Sequence, residues 1–200
     1  PQVHPGGLGR ILSQIRFGST LNMAASLANP ARPTVGVRGV FTDAALNQTA
    51  EIMSRIGYRR GIVVHGFDDA SGLGMDEFSI CGKNVYVEFD EKGRQQHEIR
   101  PEDVGLTTAP YDAIRSLDNR EQEATRFVNL LLGDASKALM EFVAFNAGAV
   151  LYVAGIKSSL IEGVKRSLTL MHEKAPLATA KAWVQAQRAE TAKEGLLTHE

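Results

Sequence analysis

Residues 34–40 read TVGVRGV and residues 61–65 read GIVVH, two valine-rich runs of the kind that fill buried strands. Between them Leu46, Ala50, Met53 and Ile56 recur at helical spacing. Thr42 is placed to cap that helix, Asp43 suits its first turn, and Gly57 ends it. Strand, helix and strand thus follow one another within about 32 residues, which makes a βαβ unit. Such a unit leaves few options. The strands run parallel, the crossover is right-handed, and the helix must lie across one face of a sheet.

The rest of the chain extends this start. A long loop spans 66–75, after which Val85, Val87 and Phe89 alternate with Asn84, Tyr86 and Glu88. Residues 91–94 read as a turn and 95–99 as a returning strand, so this hairpin is expected at the edge of the parallel sheet. From Tyr111 onward the pattern is helical. Ala124, Phe127, Val128 and Leu131 form one apolar stripe, and Leu160, Ile161, Val164, Leu168 and Met171 form another. Residues 139–154 are apolar nearly all round, the mark of a helix buried on most faces, and an alanine-rich helix over 177–194 closes the chain. The stretch 7–28 reads as two short helices broken near Gly18. The expected fold is a single α/β domain over 1–200: a central, mainly parallel sheet with an antiparallel edge hairpin, flanked by helices.

Composition narrows the function. Over 200 residues the net charge is -1, and neutralising a phosphate backbone needs a basic excess, so a dedicated nucleic-acid binder is disfavoured. One cysteine, Cys81, allows no disulfide within the chain and no multi-cysteine metal centre, and it suits a reducing cytoplasm. No run of about 18 apolar residues suggests a membrane span; Asn146 interrupts the longest, and no signal peptide is read at the start. The chain begins on Pro1, which leads to the expectation that upstream sequence is missing.

Chemistry is expected beyond the carboxyl ends of the strands, where open α/β sheets bind ligands. Asp76 and Glu77 fall there, soon after the strand ending at His65. Two adjacent carboxylates suit Mg²⁺, a hard cation that usually brings phosphate; the rival is a solvated acidic loop, as Asp68 and Asp69 illustrate. His65 at a strand tip could face a ligand, although a hydrogen-bonded structural histidine is the commoner case. His4, before Pro5, could line a pocket or belong to a frayed terminus. The run Gly6-Gly7-Leu8-Gly9 lacks a preceding strand and the spacing of a dinucleotide fingerprint. Ser19, Thr20 and Asn22 stand where a helix cap is needed. Asn146, inside the most apolar helix, needs a hydrogen-bond partner from neighbouring helices or from a loop near the site. Arg59 and Arg60 precede their strand at the end opposite a ligand site and read as surface charge.

Several segments, in order, resemble the anthranilate phosphoribosyltransferase family of the glycosyltransferase and nucleoside-phosphorylase-like superfamily. They are His4-Pro5, Leu21-Asn22 with Leu27-Ala28-Asn29-Pro30-Ala31, Val63-Val64-His65-Gly66, Gly74-Met75-Asp76-Glu77-Phe78-Ser79, Arg100-Pro101-Glu102-Asp103-Val104-Gly105-Leu106, and 146–155, NAGAVLYVAG. The resemblance runs from about His4 to Ser159. It implies a transferase that uses phosphoribosyl pyrophosphate (PRPP), as in tryptophan biosynthesis. Asp76 and Glu77 would bind the Mg²⁺ that carries PRPP, and His4 would line the aromatic acceptor pocket. A homodimer is implied for the complete protein.

The departures from the family are also informative. The glycine-rich diphosphate loop, the Lys-His-Gly-Asn motif and the small helical N-terminal domain of the family have no counterpart in these residues, so the chain is expected to be the C-terminal, catalytic portion of a longer protein. Where the family carries Gly-x-Arg-Thr-x-Phe-Asn, this chain has Arg16-Phe17-Gly18-Ser19-Thr20-Leu21-Asn22. Ser26 stands in the place of the pocket proline. Only Arg10 or Arg16 could substitute for the arginine that recognises the carboxylate of anthranilate, and loss of a bidentate partner weakens such binding strongly. The expectation is therefore a modified acceptor pocket formed by His4, Arg16, Ser19, Thr20, Asn22 and Ser26, accepting an aromatic or nitrogenous compound. Two other classes stand beside it: a non-catalytic relative that binds nucleic acid, and a structural subunit partnered by a separate N-terminal piece.

Overall fold

A computed structural model describes Leu27 and residues 29–197. Strand β1 (Val35–Gly39) is followed by a 3₁₀ turn (Asp43–Ala45) and helix α1 (Leu46–Arg55), then β2 (Arg60–Phe67). A two-residue strand β3 (Gly74–Met75) precedes the hairpin β4 (Asn84–Asp90) and β5 (Gly93–Ile99). Helices α2 (Arg120–Leu132), α3 (Lys137–Val153), α4 (Leu160–His172) and α5 (Ala175–Leu197) complete the chain.

The βαβ unit is present as expected: β1 and β2 pair in parallel, Val35 opposite Arg60 and Gly39 opposite Val64. α1 buries Leu46, Thr49, Ala50 and Met53, the face that a 3.6-residue period dictates, and Gly57 follows it at a φ of 111°. The helix entry differs from expectation. Thr42 is extended, but its side chain caps nothing, and the first turn is 3₁₀ rather than α.

The sheet order is β1-β2-β4-β5, with β3 beside β2. Among the described residues the sheet is mixed rather than mainly parallel, because β3, β4 and β5 all pair antiparallel and only β1–β2 runs parallel. The reason is connection length. This holds for β3 after β2 and for β5 after β4, whose short connections leave no room for a crossover; β4 returns beside β2 only after the longer 68–83 segment that carries β3. The two-residue turn at Glu91 and Lys92 sets the hairpin register, Asp90 opposite Gly93.

Side-chain alternation on β2 divides the core in two. Ile62 and Val64 face Phe78, Phe145, Ala149 and Val164 on the helical side, while Val63 faces Val40, Leu46, Met53, Val87 and Phe89 beneath α1. α3 buries Leu139, Met140, Ala144, Phe145, Gly148, Ala149 and Val153 against its neighbours. It can approach α4 closely because Gly148 and Gly163 face each other; a Cβ on Gly163 would lie 2.2 Å from the Gly148 carbonyl oxygen. The caps follow ordinary chemistry, with Asn119, Ser136 and Ser159 accepting from backbone N–H groups of α2, α3 and α4. The stripe on α2 is not buried by the described residues: Phe127 is 57% exposed and Val128 48%.

Candidate functional site

The site is assembled at the carboxyl ends of β1 and β2. Past Phe67 the chain turns on Asp68, whose carboxylate accepts from Ala70 N–H at 3.1 Å and from the Ser71 hydroxyl at 2.6 Å. Asp69 accepts from Lys83 N–H at 3.1 Å and pairs with Arg100 at 2.8 Å; these hydrogen bonds hold its carboxyl below the usual range. Both acids are thus consumed by the loop. β3 then returns beside β2, Met75 opposite Gly66, and delivers Asp76 and Glu77 across the strand ends.

Glycines make that crossing possible. A Cβ on Gly39 would sit 1.4 Å from the Asp76 carbonyl oxygen, and one on Gly66 would sit 2.5 Å from the Glu77 carbonyl oxygen. Any side chain at either strand end would push the acidic pair outward. Gly74 serves the same approach, since its Cβ would meet His65 Nε2 at 2.1 Å.

Two asparagines then fasten the segment from below. Asn146 on α3 accepts from Phe78 N–H at 2.9 Å and donates to the Phe78 carbonyl at 2.9 Å, as a neighbouring strand would. It also donates to Phe142 C=O at 3.1 Å. Asn84 accepts from Ser79 N–H at 2.6 Å and donates to the Ser79 carbonyl at 2.9 Å. The Ser79 hydroxyl donates to Phe67 C=O at 2.8 Å and the ring of Phe78 stacks on Phe145, with centroids 4.6 Å apart. A pair of exposed carboxylates therefore stands on a backbone held from both sides.

Asp76 and Glu77 have no hydrogen bond and no ion pair among the described residues. Partial burial, and then the charge of Asp76, push the Glu77 carboxyl above its usual range. Arg38 on β1 feels the Asp76 charge, which offsets part of the burial that lowers its own pKa; its Nε is buried without a partner. No cluster of three or more potential ligands occurs among the described residues. The acidic pair nonetheless fits a hard cation of the Mg²⁺ type, which keeps several waters and takes one or two carboxylates plus substrate phosphate. The fit rests on two adjacent hard oxygen donors that no hydrogen bond or ion pair among the described residues occupies; Arg38 acts on Asp76 through its charge alone. Beside them opens a cavity of about 490 Å³, within the size range of ligand sites.

The other expected residues divide plainly. His4, Arg16, Ser19, Thr20, Asn22 and Ser26 lie outside the described residues. His65 takes the structural role: it is 4% exposed and its Nδ1–H donates to the Val40 carbonyl at 2.7 Å, with Phe67 edge-on. Cys81 is buried, and burial pushes its thiol up, away from reactivity. Arg60 is not simple surface charge. It is half-buried, pairs with Glu88 at 3.3 Å and covers the ring of Tyr152, whose hydroxyl donates to Glu88 at 2.8 Å. Gly39, Gly66 and Asn84 escaped sequence reasoning; the one signal for them is a small or amide residue at the boundary of an otherwise apolar strand.

Comparison with known proteins agrees with this geometry. Residues 8–175 match the family described as glycosyl transferase family, a/b domain. The chain belongs to that family. Anthranilate phosphoribosyltransferase of Synechococcus sp. (strain WH7803) is 38% identical over 179 residues, 88% of this chain and 49% of that protein. The enzyme of the same name from Rubrobacter xylanophilus is 31% identical over 178 residues, 89% of this chain and 50% of that protein. The solved anthranilate phosphoribosyltransferase of Thermus thermophilus superposes with a TM-score of 0.76 at 33% identity, covering 90% of this chain and 51% of that one. The resemblance seen in the sequence is borne out. The chain spans about half the length of the relatives it matches. Among the described residues no helix is long and apolar enough to cross a membrane.

Proposed function

We propose that the complete protein is a PRPP-dependent phosphoribosyltransferase acting on an aromatic or nitrogenous acceptor of the anthranilate type, as in tryptophan biosynthesis. The observation that carries this is the carboxylate pair Asp76 and Glu77, fixed over two glycine strand ends and unpaired by any described cation. Similarity to anthranilate phosphoribosyltransferases supports it. The yeast enzyme, of the same fold with a TM-score of 0.77 but 16% identical, has been solved in complex with PRPP and Mg.

In this reading Asp76 and Glu77 hold Mg²⁺. When bound, the cation would supply charge neutralisation for the departing diphosphate. The protein's own part is positional: Asn146 and Asn84 keep the Phe78 and Ser79 peptides still, so the two carboxylates do not reorganise when ligand arrives. His4, Arg16, Ser19, Thr20, Asn22 and Ser26 form the acceptor side, modified at Ser26 and lacking the usual arginine. The family's glycine-rich phosphate loop and helical domain have no counterpart in these residues; the proposal assigns them, with a homodimer in the cytoplasm, to the complete protein.

The test uses the complete protein. Mn²⁺ binding followed by electron paramagnetic resonance, and PRPP binding by calorimetry with Mg²⁺ present, should both fall at least tenfold in Asp76→Asn with Glu77→Gln. Unchanged binding of metal and PRPP in that variant overturns the proposal.

A further inference from the structure

The cavity beside the acidic pair has a second wall, built by the segment around the 3₁₀ turn Tyr111–Ala113. Helix α2 holds this segment in place. Arg126 donates from Nη1 to the Arg115 carbonyl at 2.8 Å, and Glu123 accepts from Leu117 N–H at 3.0 Å. Arg126 and Glu123 also pair with each other at 2.7 Å, so their charges cancel. The Arg115 backbone is therefore pinned from the helix below it.

The Arg115 side chain is not. Its Nε lies 3.2 Å from Asp112, a carboxylate that is 89% exposed, and an exposed pair of this kind contributes little. Its two terminal nitrogens bond nothing among the described residues, and neither does the Ser116 hydroxyl, which lines the same cavity. The lining of one cavity thus includes two carboxylates with no ion-pair partner among the described residues and a guanidinium fork with unfilled terminal nitrogens. A simple anion would satisfy the fork and be repelled by the acids. A simple cation would do the reverse. A phosphate group carrying a divalent metal satisfies both at once, because its cation suits the carboxylates and its oxygens suit the guanidinium.

We propose that Arg115 is a ligand-binding residue of this site, its terminal nitrogens holding the phosphate oxygens of a metal-bound diphosphate. The inference rests on the reading of Asp76 and Glu77 as the metal-holding pair. Ser116 adds a neutral donor on the same side.

Calorimetric titration of the complete protein with magnesium pyrophosphate tests the assignment, with Mn²⁺ binding in the absence of pyrophosphate as the second measurement. Losing a charge-assisted fork should weaken pyrophosphate binding in Arg115→Gln by about 10- to 100-fold. Its Mn²⁺ affinity should stay within about twofold, because Arg115 does not touch the cation. Arg115→Lys should recover part of the loss, since an ammonium keeps the charge but not the fork. Wild-type pyrophosphate affinity in Arg115→Gln overturns the assignment. So does a parallel loss of Mn²⁺ binding, which would make the role structural. If Asp76→Asn with Glu77→Gln keeps its metal while Arg115→Gln loses pyrophosphate, the reading of the acidic pair has failed and not that of the arginine.

Discussion

Replacing Gly39 by alanine would put a methyl carbon 1.4 Å from the carbonyl oxygen of Asp76 and 2.2 Å from its carbonyl carbon. Real Cβ contacts essentially never fall below 3.0 Å, so the oxygen at 1.4 Å must retreat by about 1.6 Å to reach that limit. The obstacle is backbone, which cannot swing aside as a side chain does. It is also held on both flanks, by the Met75–Gly66 pairing before it and by the Asn146 clamp on Phe78 after it. Overpacking of this kind costs about 1–3 kcal/mol of stability. A functional group displaced by about 1 Å can lose on the order of 100-fold in effect, so Mn²⁺ affinity in Gly39→Ala should drop by about 10- to 100-fold. Electron paramagnetic resonance of Mn²⁺ gives the affinity, and urea unfolding gives the stability. Gly36→Ala is the control on the same strand: its methyl would meet the Tyr58 ring at 2.9 Å, and a ring edge can give way. That variant should keep wild-type metal affinity. If Gly39→Ala binds Mn²⁺ as well as wild type does, the glycine does not position the pair and the reasoning is refuted.

Three further outcomes follow from other contacts. Asn146→Ala removes both hydrogen bonds to Phe78 and one to Phe142, leaving part-buried peptide groups unpaired; stability measured by urea should fall about 2–4 kcal/mol, with weaker Mn²⁺ binding. Gly148→Ala and Gly163→Ala each force α3 from α4, and each should cost about 1–3 kcal/mol or more in thermal or urea unfolding. The double variant should cost less than the sum, because helices once separated do not clash twice. Tyr86, with burial and then Glu88 pushing its phenol up from 10.0 to about 12, should ionise late in an alkaline absorbance titration. The folded value exceeds the unfolded one, so the associated stability is complete below pH 10 and is lost as pH rises towards 12. Tyr86→Phe should abolish that slope.

Local pattern carried far in the first half of the described chain. The valine runs, the helical spacing of Leu46, Ala50 and Met53, and the alternation of Val85, Val87 and Phe89 became β1, α1, β2 and β4 almost where periodicity put them. Each of those segments buries a face that its own repeat defines, so neighbours in sequence suffice to read it. Periodicity misled on α2, where the stripe containing Phe127 and Val128 is regular but uncovered by the described residues. A repeat says which residues share a face; it does not say what covers that face. The sheet was also expected to be mainly parallel, and the described pairings are mostly antiparallel, because strand composition does not set the direction in which a strand pairs.

The sequence by itself determined the element types, the chemistry of Asp76 and Glu77 and their place beyond a strand end, because hydrophobic period and side-chain charge are local properties. Only the tertiary structure decided how that chemistry is held. Asn146 in its apolar helix needs a partner from a neighbouring helix or a loop near the site, but only the fold brings it Phe78, 68 residues away in sequence. Gly39 and Gly66 look like ordinary strand glycines until the backbone of the acidic pair is laid over them. Arg115 lines the same cavity as the acidic pair, from a segment that shares no sequence pattern with it. Close packing couples residues by distance in space rather than along the chain, so contacts of this kind exist only once the chain has folded.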